Sequence, residues 1–140
     1  MDNLTITERH YKTLTILDLA GKIRIGDGNV KLRKALRVLV ESGKKNILLN
    51  LADVSHIDSS GLGELVAGFV SLQKNEGELK LLHLNYRVRE IMVMTKLLTI
   101  FSVFENEDEA VASFQSHLEN VEPNHATGVT GNLTEASANL

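Results

Sequence analysis

The sequence contains no cysteine, no tryptophan and one proline, and only 4% of its 140 residues are aromatic. Without cysteine there is no disulfide framework, no thiolate metal site and no cysteine nucleophile. No stretch approaches the roughly 20 consecutive apolar residues that span a bilayer. The opening MDNLTITERHYK is acidic and polar and lacks an apolar run behind a basic start, so no secretory signal is expected. From these absences a cytoplasmic chain that engages no membrane is expected. Concentrated positive charge is also lacking: the net charge is −3, and a nucleic-acid binder would need a basic face. The short clusters Lys31, Arg33, Lys34, Arg37 and Lys44, Lys45 fall on or beside a predicted helix, where such charges ordinarily solvate an exposed face. His10, His83, His117 and His125 are dispersed, so no metal site is expected, and nothing calls for a cofactor.

What is present is an ordinary globular composition, 43% apolar and 24% charged, long enough to bury one core. Residues 4–20 read as two strands rich in Leu, Ile and Thr, with a turn expected over Glu8 to Lys12 and Gly21 ending the second strand. Ile25 to Asn29 carries loop chemistry, and Asn29 is placed to cap the helix that follows. Leu32, Ala35, Leu36, Leu39 and Val40 keep a helical period over 30–42, with Gly43 beyond its end. Ile47 to Leu51 reads as a strand buried on both faces, and Ala52 to Asp58 as a loop. A second helix spans 60–75, a strand Leu79 to Leu84, a third helix 86–97, a short strand Ile100 to Phe104, and a last helix Glu107 to Leu118.

The order β-β-α-β-α-β-α-β-α predicts an α/β fold. Its sheet is mixed and mostly parallel, with about five strands, four helices, right-handed crossovers and an antiparallel pair at one edge. Residues 1–119 form one domain. Residues 120–140, poor in large apolar groups, are expected to be a disordered tail.

The chemistry concentrates in VSHIDSSGLGE, residues 54–64. It lies between a buried strand and a helix, at the sheet edge where open α/β folds place function. Ser59 and Ser60 open the helix, and Gly61 and Gly63 permit close approach. Asp58, Ser59 and Ser60 offer three capping groups where one would serve. A phosphate on either serine would add about −1.5 to −2 charge at a helix start whose dipole tolerates an anion. A partner packed there would be repelled. A hydrolase reading fails because neither serine lies in Gly-x-Ser-x-Gly. A phosphate-binding loop fails because Gly-x-x-x-x-Gly-Lys-Ser/Thr is absent. The residues thus leave open a plain helix cap, a switchable binding surface, or a small-ligand site on the amides of Ser60 to Gly63.

The stretch NLADVSHIDSSGLGEL resembles the signature of the STAS domain, as found in bacterial anti-sigma factor antagonists. The similarity runs from about residue 4 to 118 and takes in Gly21, the helix ending Glu41-Ser42-Gly43, Gly77, and the closing pattern from Thr95 to Ala110. The resemblance implies a STAS fold and a protein-binding regulator that is not an enzyme. It implies phosphorylation of Ser59, the serine directly after the aspartate, by an anti-sigma factor that is itself a serine kinase. A phosphoserine phosphatase would reverse the modification. It places Asp58, Ser60, Gly61, Leu62 and Gly63 on the partner-binding surface. Where these antagonists often carry an acidic residue after the glycine, this sequence has Lys22, Ile23 and Arg24, so Lys22 and Arg24 would bring opposite charge to that surface. The alternatives are a scaffold or interaction module in another signalling or transporter-associated complex, or a nucleotide-binding STAS domain.

Overall fold

The computed structural model describes residues 3–114. The disorder expected for 120–140, and the end of the last expected helix at Leu118, lie outside the described residues. The elements follow in the order β1 (Thr5–Tyr11), β2 (Leu14–Ile23), α1 (Asp27–Glu41), β3 (Asn46–Ile57), α2 (Ser59–Lys74), β4 (Glu78–Leu82), α3 (Tyr86–Met94), a short 3-10 turn (Leu97–Thr99), β5 (Val103–Phe104) and α4 (Glu107–Ala112). The five strands form one sheet in the order β1-β2-β3-β4-β5. β1 runs antiparallel to β2, and the other three pairings are parallel. This is the expected α/β architecture.

Chain order decides which face each helix covers. The strands advance steadily across the sheet, so right-handed crossovers put α1, α2 and α3 on one face. The main core is accordingly built from Leu32, Leu36 and Leu39 of α1, Leu62, Leu65 and Leu72 of α2, and Val88 and Met92 of α3. They pack on Leu17, Leu19, Ile47, Leu49, Leu51, Leu79 and Leu81 of the strands. A fully buried leucine contributes about 1.5–3 kcal/mol relative to an exposed one. Alternate strand residues, Leu14, Ile16, Leu48 and Leu82, point to the opposite face and meet Ala110 and Phe114 from the α4 end of the chain.

Arg9 ties this second layer down. Its guanidinium donates to both carboxylate oxygens of Asp18, at 2.6 and 2.9 Å, and to both of Glu107, at 3.0 Å each. Asn50 donates to Asp18 at 2.8 Å. Hydrogen bonds from Arg9 hold the carboxyls of Asp18 and Glu107 below the ordinary carboxylate range, and the guanidinium itself is pushed upward by the same bonds.

Several boundaries differ from expectation. Glu8 to Tyr11 belongs to β1, and the turn is Lys12-Thr13, with Lys12 at φ +55°. An edge strand tolerates charged residues that look like a turn in the sequence. α1 starts at Asp27, not after Asn29: the cap position is Gly26, and Asn29 Oδ1 reaches back to accept from the Gly26 N–H at 2.8 Å.

The largest difference is Ala52 to Ile57, which continues β3. β4 pairs only with Asn46 to Asn50, whereas β2 pairs with β3 as far as Ile23 opposite Ile57. The β2–β3 register shifts twice, after Asp18 and after Gly21. These irregularities space the buried residues of β3 three apart, at Leu51, Val54 and Ile57, which removes the alternation that marks a strand. Gly21 is therefore a bend inside β2 rather than its end. It sits at φ +118°, and a Cβ there would lie 2.4 Å from the Asn3 carbonyl oxygen.

Downstream, α3 stops at Met94, β4 at Leu82, and β5 keeps only Val103–Phe104 of the expected segment. Lys96 adopts a left-handed conformation at φ +68° and redirects the chain into the 3-10 turn.

Candidate functional site

The extension of β3 carries the chain past β4 before it turns into α2, so the first turn of α2 lies at the carboxyl edge of the sheet. Asp58 caps that helix in extended conformation, and its Oδ1 accepts from the Gly61 N–H at 3.1 Å. The same carboxylate does more than cap. Oδ1 also accepts from the Ser60 hydroxyl at 2.5 Å, and Oδ2 accepts from the Ile25 N–H at 2.9 Å. The Asp58 N–H in turn donates to the Ile23 carbonyl at 3.1 Å. One aspartate thus fastens the end of β2 and its loop to the start of α2. Partial burial pushes its carboxyl up. The bonds from the Ser60 hydroxyl and from the N–H groups of Ile25, Gly61 and Ser60 outweigh that and leave it below the ordinary carboxylate range.

The two serines are chemically unlike. Ser60 is half-buried and committed to Asp58. Ser59 is exposed, at the first helical position, and its hydroxyl has no partner among the described residues. Gly61 and Leu62 do not reach the surface. A Cβ on Gly61 would lie 2.6 Å from Ile23 Cγ2, 2.7 Å from Ile57 Cγ1 and 2.8 Å from the Ile23 carbonyl oxygen. The close approach at this glycine is therefore made by the chain's own core. Leu62 is 6% exposed and joins the main core. Gly63 is exposed, and a Cβ there would meet nothing within 4 Å, so this spot is open. The amides of Gly61 and Leu62 both go to Asp58, which removes two donors from the small-ligand reading.

Lys22 and Arg24 flank Ile23, whose carbonyl accepts from the Asp58 N–H. Lys22 stands opposite His56 in the β2–β3 register. Three further side chains, His56, Asn85 and Glu64, complete the site. His56 Nε2 accepts from Arg87 Nη1, and its Nδ1 faces Ser55 Oγ at 3.1 Å. The imidazole is thus engaged away from Ser59 and is not its base. Asn85 caps α3 by accepting from the Val88 N–H at 2.8 Å and donates to the Val54 carbonyl at 2.6 Å, pinning α3 to β3. Glu64 accepts from Arg33 at 3.2 Å and Asn29 at 3.4 Å, joining α2 to α1. Asn85 was detectable as an asparagine just before a helical period; Glu64 had no local signal, because its partners are more than thirty residues away. No helix among the described residues is long and apolar enough to cross a membrane.

The model of the STAS domain matches residues 5–110. The anti-sigma-B factor antagonist of Bacillus subtilis is 30% identical over 109 residues, covering 78% of this chain and 98% of the relative. An anti-sigma factor antagonist from Mycobacterium paratuberculosis has a similar structure, with a TM-score of 0.74 at 20% identity over 81% of this chain and 96% of the other. The Bacillus cell fate determinant SpoIIAA in its phosphorylated form gives a TM-score of 0.64 at 19% identity over 78% and 98%. With its sheet order, its Asp58-capped helix and its signature residues in one matched span, the chain belongs to the STAS domain family.

Proposed function

We propose that this protein is an anti-sigma factor antagonist, a binding module switched by phosphorylation of Ser59. The observation that carries the reading is the division of labour in the serine pair. Ser60 is held by Asp58, while Ser59 is exposed at the first position of the helix, its hydroxyl without a partner among the described residues. The relative from Bacillus subtilis is itself named an anti-sigma-B factor antagonist.

In this reading the partner is an anti-sigma factor with serine kinase activity. The unphosphorylated protein binds it and frees the sigma factor, so transcription is regulated without any reaction catalysed by this chain. The kinase transfers the γ-phosphoryl of ATP to Ser59 Oγ, releasing ADP and the hydroxyl proton. The added charge of about −1.5 to −2 sits on a helix N-terminus that tolerates it, so the domain stays folded. The partner meets an uncompensated charge, and a loss of about 3 kcal/mol lowers affinity by more than a hundredfold. A phosphoserine phosphatase resets the switch, and the cycle runs in the cytoplasm.

The test compares Ser59→Ala and Ser59→Asp for binding to the purified kinase. Ser59→Ala is expected to bind like the wild type and Ser59→Asp at least tenfold more weakly; equal binding by both rejects the switch.

A further inference from the structure

Transfer of a γ-phosphoryl group to a serine forms an Oγ–P bond, breaks the bond from that phosphorus to ADP, and delivers the hydroxyl proton to a base on the kinase. The acceptor oxygen has to be within reach and its proton has to be available. A fixed anion beside it opposes the arriving phosphate. Ser59 and Ser60 are adjacent, so a kinase docked at this helix start meets two hydroxyls. The structure separates them on all three counts.

Ser60 is half-buried inside the first turn of α2. Ser59 is exposed and directly follows Asp58, whose backbone is extended at φ −107° and ψ −174°. The Ser60 proton is already donated to Asp58 Oδ1 at 2.5 Å, whereas the Ser59 hydroxyl has no partner among the described residues. The charge of Asp58 also stands directly against the Ser60 oxygen. It is held there, because Oδ1 accepts from the Gly61 N–H at 3.1 Å and Oδ2 from the Ile25 N–H at 2.9 Å. An incoming γ-phosphate is itself anionic and is repelled from that oxygen. Nor does Asp58 activate Ser60 as its base. Partial burial pushes its carboxyl up, but its hydrogen bonds outweigh that and leave it below the ordinary carboxylate range. So weak a base holds the proton's hydrogen bond without removing the proton.

Resting on the phosphorylation proposed above, we infer that Asp58 selects the acceptor. By holding the Ser60 hydroxyl and fixing a negative charge against it, Asp58 denies Ser60 to the kinase and leaves Ser59 as the substrate hydroxyl. Asp58 is a positioning residue here, acting through Ser60. The choice matters to the switch. A phosphate on Ser60 would enter the frame that joins α2 to the β2 loop and would disturb the domain itself. A phosphate on Ser59 changes only the surface that a partner meets.

Asp58 also caps α2, so the test has to separate selection from folding. Asn and Ser cap helices about as well as Asp, and both remove the charge. Asp58→Asn and Asp58→Ser are each made in the full chain, alone and combined with Ser59→Ala. They are incubated with ATP and the purified anti-sigma factor kinases of the protein's own organism, the phosphates are located by mass spectrometry, and folding is followed by circular dichroism. The wild type is expected to carry phosphate on Ser59, with Ser60 modified at least about a hundredfold more slowly. Ser59→Ala alone should carry none. Combined with either Asp58 substitution, it is expected to gain phosphate on Ser60, at least about tenfold above the level of Ser59→Ala alone. A purely structural role for Asp58 would slow phosphorylation without moving it to Ser60. Folded double variants that stay unphosphorylated, beside a wild type modified on Ser59, would overturn the selection and leave the proposed function standing. A wild type modified on neither serine would overturn both.

Discussion

The Ser60 hydroxyl donates to Asp58 Oδ1 at 2.5 Å, and that one bond makes two adjacent serines different residues. Ser60 is part of the frame that holds the helix start; Ser59 is displayed by it.

Stability measurements should separate them. Replacing Ser60 with alanine removes a charge-assisted hydrogen bond and is expected to cost about 1–2 kcal/mol in urea unfolding. Ser59→Ala removes no internal contact and should stay within about 0.5 kcal/mol. Asp58→Ala loses the cap together with the link to Ile25 and should cost most, about 2–3 kcal/mol. Equal effects at the two serines would contradict the assignment of Ser60 to the frame.

The two glycines of the first α2 turns should respond in opposite directions. A methyl group at Gly61 meets Ile23 and Ile57 atoms at 2.6 to 2.8 Å, so Gly61→Ala is expected to destabilise by about 1–3 kcal/mol. A methyl at Gly63 meets nothing within 4 Å, and alanine is the better helix former by nearly 1 kcal/mol. Gly63→Ala should therefore leave the unfolding midpoint unchanged or raise it. Differential scanning calorimetry of the two variants makes the comparison directly.

Acid should loosen the α4 layer through Arg9. Bonds to Arg9 hold the carboxyls of Asp18 and Glu107 below their ordinary range. Such groups stabilise the fold fully above their unfolded pKa, near 4, and lose that contribution as pH falls through the lower folded value. The three side chains are 30 to 41% exposed, so solvent screening limits the network to roughly 1 kcal/mol at neutral pH. Stability should be flat from about pH 7 to 5 on this account and fall below about pH 4. Arg9→Met should start lower and fall less steeply over the acid range. Identical acid profiles for the two proteins would remove the network from the account.

Much of this was legible in the residues. The helical periods of Leu32 to Val40 and Leu62 to Leu72, and the apolar run Ile47 to Leu51, are local signals of burial, and they placed the layers correctly. The DSSGLG stretch marked the helix start and the resemblance that goes with it. Non-local pairing was not legible. Ala52 to Ile57 is a strand because β2 pairs with it through two register shifts, and no alternation in the segment reports that. Glu8 to Tyr11 is a strand because it closes an edge and because Arg9 finds Asp18 and Glu107, the latter 98 residues away. At the site, the sequence marked Gly61 and Leu62 as surface, but both are buried there, under the residues that do face outward.

The most direct measurement is the site of phosphorylation. The purified protein, incubated with its cognate anti-sigma factor kinase and ATP and digested for mass spectrometry, should carry one phosphate, on Ser59, and Ser59→Ala should carry none. Phosphate on Ser60 or elsewhere, with Ser59 unmodified, would contradict the account.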